Sequence, residues 1–288
     1  MIVPAISQDA AAVADHYDGL DPIYRGVWGE HVHHGLWTTG RETSTQAVEA
    51  LSQAVGERLR LTPGEACVDI GCGYGSTARL LAATHGVRVT GLTLSAEQAR
   101  YAAAHPVPGV DVHVRDWLVN GLPDASADAA WAIESSEHMV DKPAFFAEAH
   151  RVLVPGGRFV ICAWLAETDA RAWKVRHLLE PICRDGRLPS MGTREDYEAM
   201  AVAAGFTVTD YEDVSRRVAR TWTICAARLV KAVLVDREAR RVARSRISLL
   251  ILPRMILAYR TGAMRYGIFT LSTADHDRVP REPGTGPR

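Results

Sequence analysis

The chain has 288 residues, of which 47% are hydrophobic and 23% are charged. This is the composition of an ordinary globular protein, and it excludes disordered, collagen-like and fibrous classes. The 33 basic and 34 acidic side chains give a formal net charge of -1. Because no general positive field attracts a polyanion, we expect no nucleic-acid partner.

The cysteine pattern and the apolar stretches indicate a cytoplasmic protein. The five cysteines include no C-x-x-C pair and are odd in number, which favours reduced thiols over a disulfide framework or a zinc site. The N-terminus lacks a basic region followed by an apolar run, so we expect no signal peptide. The strongest apolar stretch, 247–259, is interrupted by Pro253 and Arg254 and is shorter than the roughly 20 residues of a membrane span. We therefore expect no transmembrane segment.

In chain order, hydrophobic periodicity first predicts an amphipathic helix over 43–60. Short apolar runs rich in β-branched residues then predict five strands, at 66–70, 87–92, 110–114, 128–133 and 158–164. Helical patterns lie between them, at 76–84, 95–104 and 142–152. Strands that alternate with helices indicate βαβ units on a parallel sheet. Two further strands are predicted at 206–211 and 266–272.

A long, mostly helical segment, 216–262, separates the last two predicted strands. It far exceeds the roughly two to six residues of an ordinary connection, so we predict a lid. Its first part, 216–246, holds ten basic and two acidic side chains, a local charge of +8. Such charge usually marks a solvated helical face. The alternative is an anion site for a phosphorylated substrate or for an acidic membrane surface.

A glycine-rich loop follows the first strand of the predicted sheet. Three glycines at alternate positions, Gly71, Gly73 and Gly75, let the backbone turn tightly against a ligand before a helix begins at Ser76. The spacing D-x-G-x-G-x-G differs from a dinucleotide fingerprint, and the loop has no P-loop lysine. It resembles motif I of the class I S-adenosylmethionine-dependent methyltransferases. That resemblance implies that Asp69, Gly71, Cys72 and Gly73 border the methionine part of the cofactor.

The end of the second strand indicates a resemblance to one branch of this methyltransferase class. It continues into Thr93-Leu94-Ser95 and then Gln98, without the acidic residue that commonly ends this strand. The pattern G-[IL]-T-L-S-x-x-Q is similar to the cyclopropane-synthase and γ-tocopherol methyltransferase branch. By that resemblance, Thr93 and Leu94 lie at the ribose and Gln98 lies near the cofactor. Ser95 is a plausible N-cap for the next helix.

After the third strand, Asp116 and Trp117 resemble the family's adenine site, with the acid at the exocyclic amine and the aromatic ring beside the purine. A tryptophan that only closes the core, beside an aspartate that only caps a turn, is the alternative. The N-terminal Tyr17-Asp18 pair also matches the family pattern, and the resemblance adds Tyr17 to the cofactor contacts.

The fourth strand ends in Glu134, followed by His138. Ligands of an open parallel sheet bind beyond the carboxyl ends of its strands, so Glu134 is expected at both the cofactor and the acceptor. If the following turn is helical, Glu134 and His138 share a face. The stretch from Trp131 to Met139 resembles the W-x-x-E-S-x-E-H-M segment of γ-tocopherol methyltransferases.

A cluster of histidines in the N-terminal region matches the W-G-x-H-x-H-H-G pattern of the same family. The four side chains Glu30, His31, His33 and His34 could instead suggest a metal site, but no second ligand cluster accompanies them. We therefore expect no metal and interpret the segment as part of a pocket. Four aromatic residues nearby are candidates for contact with the sulfonium or with a flat substrate. They are Tyr17, Tyr24, Trp28 and Trp37.

Together these features predict an α/β, Rossmann-like fold with a seven-stranded, mostly parallel sheet, helices on both faces and a helical lid between strands 6 and 7. The expected division of the chain assigns each segment one role. It comprises an N-terminal pocket-closing helical segment at 1–42, an S-adenosylmethionine-binding core at 43–215, the lid at 216–262, a last strand at 263–272 and a disordered tail at 273–288.

The resemblance implies a methyltransferase that uses S-adenosyl-L-methionine and acts on a small molecule. Its sulfonium methyl group is already electrophilic, so the enzyme must align the nucleophile and manage one proton. Attack by an electron-rich carbon gives a cation that an acid can stabilise, and we assign this role to Glu134. The candidate proton acceptors are His33, His138 and Tyr24.

We therefore predict C-methylation of an aromatic or indole ring carbon in specialised metabolism. The alternatives are N- or O-methylation of an alkaloid-like or phenolic metabolite, C-methylation of a prenyl diphosphate, lipid methylation at a membrane surface, and cofactor binding without catalysis. The sequence leaves open whether the chain forms a homodimer.

Overall fold

The computed structural model describes residues 1–4, 8–237, 240–241 and 250–275, apart from the side chains of 22–24 and 27. The predicted proton acceptor Tyr24 therefore lies outside the described side chains. Parts of the predicted lid, 238–239 and 242–249, and most of the predicted tail, 276–288, lie outside the described residues as well.

A seven-stranded sheet forms the centre of the molecule, in the order β3-β2-β1-β4-β5-β7-β6. The first five strands run parallel, and β7 is antiparallel to both β5 and β6. The strands are β1 Ala66–Ile70, β2 Arg88–Thr93, β3 Val110–Val114, β4 Ala127–Ile133, β5 Leu153–Ala166, β6 Thr207–Asp213 and β7 Met264–Ser272. The prediction of a mostly parallel, Rossmann-like sheet is confirmed.

The helices cover both faces of this sheet, and an apolar cluster lies between the helices and the sheet on each face. They are α1 Ala10–Val27, α2 Ser44–Leu59, α3 Ser76–His85, α4 Ala96–Ala104, α5 Lys142–Val152, α6 Ala172–Lys174, α7 Glu180–Asp185, α8 Arg194–Ala203, α9 Ser215–Val218, α10 Arg220–Val235 and α11 Ile251–Arg260. Local chemistry starts several of them: the hydroxyl of Ser95 caps α4, as expected, and the carboxylate of Asp141 caps α5.

Two parts of the fold differ from the sequence prediction. The short helices α6 and α7, joined by a π-helical turn at Val175–Leu179, were not predicted, because each is too short to show a helical period. In addition, β5 begins at Leu153 rather than 158, so the Pro155-Gly156-Gly157 turn lies inside the strand as an irregularity in its pairing with β4.

The strand order places a crevice between β1 and β4. After β1 the chain connects to β2 on one side, and after β4 it connects to β5 on the other side. The two connections therefore leave the carboxyl edge in opposite directions and open a crevice between them. Ligands bind at such a switch point in open α/β sheets. Here the loop that begins at Gly71 approaches the segment that begins at Glu134, and the hydroxyl of Ser135 donates to the carbonyl of Ile70.

The N-terminal segment crosses this carboxyl edge and is fixed by polar contacts from several elements. On α1, the carboxylate of Asp18 accepts from the hydroxyl of Ser95, and that of Asp21 accepts from the hydroxyl of Tyr74 at 2.7 Å. Beyond α1, Glu30 forms an ion pair with Arg79 at 2.9 Å. Helix α1 therefore covers the crevice from above.

Close packing at Gly71 gives a test of this geometry. The residue has φ of 75°, and an added Cβ would lie 2.3 Å from the Cβ of Ser135. Gly64 is a matched control, since it has φ of 88° and open space around the same position. A left-handed backbone costs an L-residue about 1–2 kcal/mol at either site.

We expect Gly71→Ala to lower the free energy of unfolding by clearly more than Gly64→Ala does, because only the first adds a clash. Urea denaturation of the two variants measures the difference. Equal losses would contradict the close approach of the two loops.

Candidate active site

Two adjoining cavities lie at the carboxyl edge of the sheet. The strand-end cavity is lined by the loops after β1, β2, β3 and β4 and by α1. Most of the predicted site residues line it: Tyr17, Gly71, Gly73, Thr93, Leu94, Gln98, Asp116, Trp117, Glu134 and His138. The fold therefore brings together predicted site residues from five separate segments of the chain.

The polar side chains after β2 and β3 are ordered by local contacts. The hydroxyl of Thr93 donates to Oε1 of Gln98 at 2.7 Å, and both residues are buried. Asp116 accepts from the backbone N–H of Leu118 at 2.9 Å and so caps a short turn. The indole of Trp117 donates to the carbonyl of Phe145 at 3.1 Å and is 2% exposed. Trp117 thus closes the core and lines the cavity at once.

A small extension of the site lies behind the glycine loop. It is lined by residues that include Asp69, Cys72 and His33. The carboxyl of Asp69 is buried, and its Oδ2 accepts no hydrogen bond from the part of the chain that the structure describes. Burial raises the pKa of Asp69 to about 7, against a small lowering effect from Trp131. An unmet acceptor here suits a ligand that carries an ammonium group.

The second cavity, which we call the aromatic cavity, adjoins the first. Its aromatic lining comes from His16, Tyr17, Trp28, His138, Trp164 and Trp222, and its acidic lining from Glu134 and Glu137. Trp222 packs edge-on against both Trp28 and Trp164, with ring centroids 5.4 and 5.6 Å apart. Tyr17, Glu134 and His138 line both cavities, so they mark the boundary between them.

The carboxylate of Glu134 is held by three aromatic side chains. Its Oε1 accepts from the backbone N–H and Nδ1 of His34, at 2.6 and 2.9 Å, and from the hydroxyl of Tyr266 at 2.8 Å. Its Oε2 accepts from the indole N–H of Trp164 at 2.9 Å. Burial opposes ionisation, but the charge and hydrogen bonds of His34 outweigh it and lower the pKa of Glu134. Glu134 is therefore an ionised carboxylate at the cavity boundary.

The imidazole of His138 bridges Tyr17 and the chain beyond α7. Its Nδ1 lies 3.3 Å from the carbonyl oxygen of Arg187, and its Nε2 lies 2.9 Å from the hydroxyl of Tyr17. A carbonyl oxygen only accepts, so Nδ1 carries the proton and Nε2 accepts from Tyr17. Burial lowers the pKa of His138 to about 4, so the ring is neutral near pH 7.

Glu137 is a second buried carboxyl of the aromatic cavity. Its Oε1 accepts from the backbone N–H of Trp164, and its Oε2 accepts from the hydroxyl of Ser136 at 3.1 Å. Burial and the nearby charge of Glu134 raise the pKa of Glu137 to about 7, against the lowering effect of the Trp164 hydrogen bond. The sequence analysis gave Glu137 no role.

The structure places two of the catalytic candidates away from their expected positions, and their catalytic roles stay predictions. Glu134 and His138 do not share a helical face, because Glu134 has φ of 52° and only Ser136–His138 forms a 3-10 turn. His33 does not line the aromatic cavity: its Nδ1 lies 2.9 Å from the carbonyl oxygen of His34. The neighbouring residue His34 contacts Glu134 instead, through both its backbone N–H and its Nδ1.

The other candidate residues of the N-terminal region lie in different places, and only some of them line the aromatic cavity. Tyr17 and Trp28 line the aromatic cavity, whereas Trp37 is buried elsewhere and donates to the carbonyl of Glu42. Nδ1 of His31 lies 3.2 Å from Nε2 of His33. Within the described ranges, no group of three or more His, Cys, Asp or Glu side chains is arranged to hold a metal ion.

Two general features accompany the site. All five cysteines are buried free thiols. Among the residues that the structure describes, no helix is long and apolar enough to cross a membrane.

Comparison with known proteins identifies the class. A family model described as mycolic acid cyclopropane synthetase matches residues 5–247. Tocopherol O-methyltransferase from Arabidopsis thaliana is 30% identical over 285 residues, which cover 90% of this chain and 80% of that protein. The [4+2]-cyclase SpnF is 27% identical with a TM-score of 0.76, covering 95% of this chain and 99% of that one.

A cyclopropane synthase from Mycobacterium tuberculosis, MmaA2, has a TM-score of 0.81 at 24% identity, with 93% of this chain and 100% of that one covered. At that identity the likeness shows the fold alone. The protein is a class I S-adenosylmethionine-dependent methyltransferase. Within that class, the chain belongs to the mycolic acid cyclopropane synthetase family.

The residues present fit this cofactor. Asp69 offers an unmet buried acceptor behind the glycine loop, and the loop leaves open space at Gly73, where an added Cβ would meet nothing within 4 Å. Thr93, Gln98 and Trp117 line the other end of the strand-end cavity. These features suit an ammonium group at one end and a nucleoside at the other.

The raised pKa of Asp69 predicts a pH-dependent stability. Because the folded pKa of about 7 exceeds the usual 3.8, the contribution of Asp69 is complete below about pH 4 and is lost as the pH rises through about 7. Asn cannot ionise, so Asp69→Asn should become more stable relative to the wild type between about pH 5 and about pH 8.

Urea denaturation of both proteins at the two pH values measures this difference. Glu137 contributes equally to both proteins, so its own titration cancels. A constant difference between the two proteins would show that Asp69 is not buried as described.

Proposed function

We propose that the enzyme methylates an electron-rich ring carbon of a small aromatic acceptor, such as an indole, held in the aromatic cavity. The observation that carries this proposal is the ionised carboxylate of Glu134 at the boundary of the two cavities. Attack by a ring carbon leaves positive charge on the ring, and a fixed carboxylate beside it lowers the energy of that state. The aromatic walls suit a flat acceptor.

The charge of the aromatic cavity also supports the proposal. Its described lining contains two carboxyl groups and no lysine or arginine. An acceptor that carries a diphosphate would meet these carboxyls without a cation to pair with. In the basic segment, Arg217 pairs with Glu212 and Arg220 donates to the carbonyl of Gly40. These two basic side chains therefore already have partners within the protein.

The weak base at the cavity boundary fits carbon methylation better than phenol methylation. The pKa of His138 is about 4, far below the value near 10 of a phenol. Proton transfer is efficient when the two pKa values are close. In the ring cation, the carbon that has gained the methyl group still carries its hydrogen, which is strongly acidic and can pass as a proton to such a base, whereas a neutral phenol cannot lose its proton to it readily.

These residues divide the work of the reaction between them. The cofactor, when bound, supplies an electrophilic methyl group. The tryptophans of the aromatic cavity hold the acceptor ring against this group and exclude water. Glu134 stabilises the ring cation, and His138 accepts the ring proton at Nε2, directly or through the hydroxyl of Tyr17.

The second candidate function is O-methylation, which the name of the Arabidopsis relative favours. The observation in its support is the Tyr17–His138 pair, which could orient the hydroxyl of an acceptor.

For either reaction, we propose that α10 and α11 close over the bound substrate. Trp222 of α10 lines the aromatic cavity, and the hydroxyl of Tyr259 of α11 lies 3.2 Å from Nε2 of His34. The helices between β6 and β7 would then act as the predicted lid, in a cytoplasmic enzyme.

Product analysis tests the proposed reaction. The purified enzyme is incubated with trideuteromethyl S-adenosylmethionine and a panel of indoles, phenols, amines and prenyl diphosphates. We expect the label on a ring carbon, located by mass spectrometry and NMR. Label on oxygen or nitrogen would overturn the proposal in favour of the alternatives. The same spectra reveal an unlabelled isomer, the product expected of a cyclase such as SpnF.

The role of Glu134 gives a second prediction. Glu134→Gln should retain cofactor affinity but lose turnover by about 100- to 1,000-fold, because a neutral amide cannot stabilise the ring cation. Calorimetry measures binding, and label incorporation measures turnover. The matched control is Glu65→Gln, which breaks the ion pair with Arg158 outside both cavities and should keep turnover. Unchanged turnover in Glu134→Gln would remove Glu134 from the mechanism.

A further inference from the structure

A buried lysine lies beside the turn Ser136–His138 and touches none of the groups that take part directly in the proposed reaction. Lys142 is the first residue of α5 and is 2% exposed. Its ammonium group donates to the carbonyl oxygens of Glu137 and Met139, at 3.1 and 3.3 Å, and to Oγ of Ser190 at 3.0 Å. All three acceptors are neutral. A buried charge is costly, so this lysine requires a reason.

The three acceptors belong to two segments that meet at His138. Glu137 and Met139 flank His138 in the turn after β4. Ser190 lies in the segment between α7 and α8, and the same segment supplies Gly186 and Leu188 to the aromatic cavity. Lys142 therefore bridges the turn and this segment.

The bridge lies beside the contact that determines the protonation of His138. Nδ1 of His138 faces the carbonyl oxygen of Arg187, three residues before Ser190. Arg187 has φ of 59°, a backbone conformation that a residue with a side chain adopts only where its surroundings impose it. The segment around this carbonyl is held on one side by the end of α7, where the backbone N–H of Leu188 donates to the carbonyl of Cys183 at 2.8 Å, and on the other side by the contact of Ser190 with Lys142.

We propose that Lys142 is a positioning residue that fixes the tautomer of His138. By holding Ser190 against the turn, it keeps the carbonyl of Arg187 opposite Nδ1, so the proton stays on Nδ1. The lone pair of Nε2 then faces Tyr17 and the two cavities. The tautomer claim rests on the contacts alone, and only its catalytic consequence rests on the proposed function.

A lysine suits this position because one atom must serve three acceptors in different directions. An ammonium group has three donors around a single nitrogen, whereas a guanidinium presents its donors in a flat fork. Methionine fills a similar volume without any donor, and it would leave two buried carbonyl oxygens unpaired. The segment with Ser190 would then lose its link to the turn, and Nδ1 would lose its fixed acceptor.

Ring nitrogen NMR tests the proposal without any substrate. Long-range proton–nitrogen correlation distinguishes the two neutral tautomers of each histidine in nitrogen-15-labelled protein, and the spectrum of His138→Gln assigns the signal of His138. We expect the Nδ1–H tautomer in the wild type and a mixture of tautomers, or the Nε2–H form, in Lys142→Met. Lys142→Arg keeps the charge and some donors and should restore the wild-type form in part.

The matched control is Lys174→Met, which removes another buried lysine, one that contacts Glu167 and the carbonyl of Thr261. It should leave the His138 signal unchanged. If Lys142→Met does not fold, Ser190→Ala decides, because it cuts the bridge and keeps the lysine. A wild-type tautomer in a folded Lys142→Met variant, or in Ser190→Ala, overturns the proposal.

Kinetics then test the catalytic consequence on whichever acceptor is labelled. We expect Lys142→Met to lower kcat about 10- to 100-fold with KM changed less than about threefold, because base catalysis weakens while binding remains. A changed tautomer with unchanged kcat would exclude His138 as the base and leave the positioning role intact. A failed methylation assay would leave the NMR result unaffected.

Discussion

The arrangement of the site depends on one buried carboxylate, that of Glu134. Its donors come from His34 in the N-terminal segment, Trp164 on β5 and Tyr266 on β7. Because an unpaired buried charge is costly, Glu134 stays ionised only when these distant segments come together. The same contacts tie the N-terminal segment to the sheet and place Tyr17 above the boundary of the two cavities.

Two titratable groups at this boundary have opposite environments. Glu134 is surrounded by donors and keeps its charge, whereas the described contacts of the His138 ring are a hydroxyl and a backbone carbonyl, and burial keeps the ring neutral. An ionised acid beside a neutral base is the division of labour that a reaction with a cationic intermediate requires. Lys142 contributes to this arrangement indirectly, because it orients His138 and lines neither cavity.

The sheet could be predicted because strand and helix periods are local patterns, and most of the strand-end cavity could be predicted because its short motifs resemble those of a known family. Strand period and the cap at Ser95 act over a few residues, and both were confirmed, whereas the contact of the glycine loop with the cofactor stays a prediction. The aromatic cavity depends on contacts between residues far apart in the chain, such as Trp164 with Trp222, which no local pattern reveals. The contact of His34 with Glu134 was not predicted either, because the direction of a side chain in an irregular segment is set by tertiary packing.

The role of Glu134 is tested most directly by whether the aromatic cavity prefers a flat cation. The affinities of N-methylquinolinium and of neutral 1-methylnaphthalene are measured by calorimetry with S-adenosylhomocysteine present. If the carboxylate of Glu134 stabilises a ring cation, the cation binds at least about 10-fold more tightly, and Glu134→Gln abolishes the difference. Equal affinities in the wild-type enzyme, or a preference that survives in Glu134→Gln, would contradict the central role of Glu134.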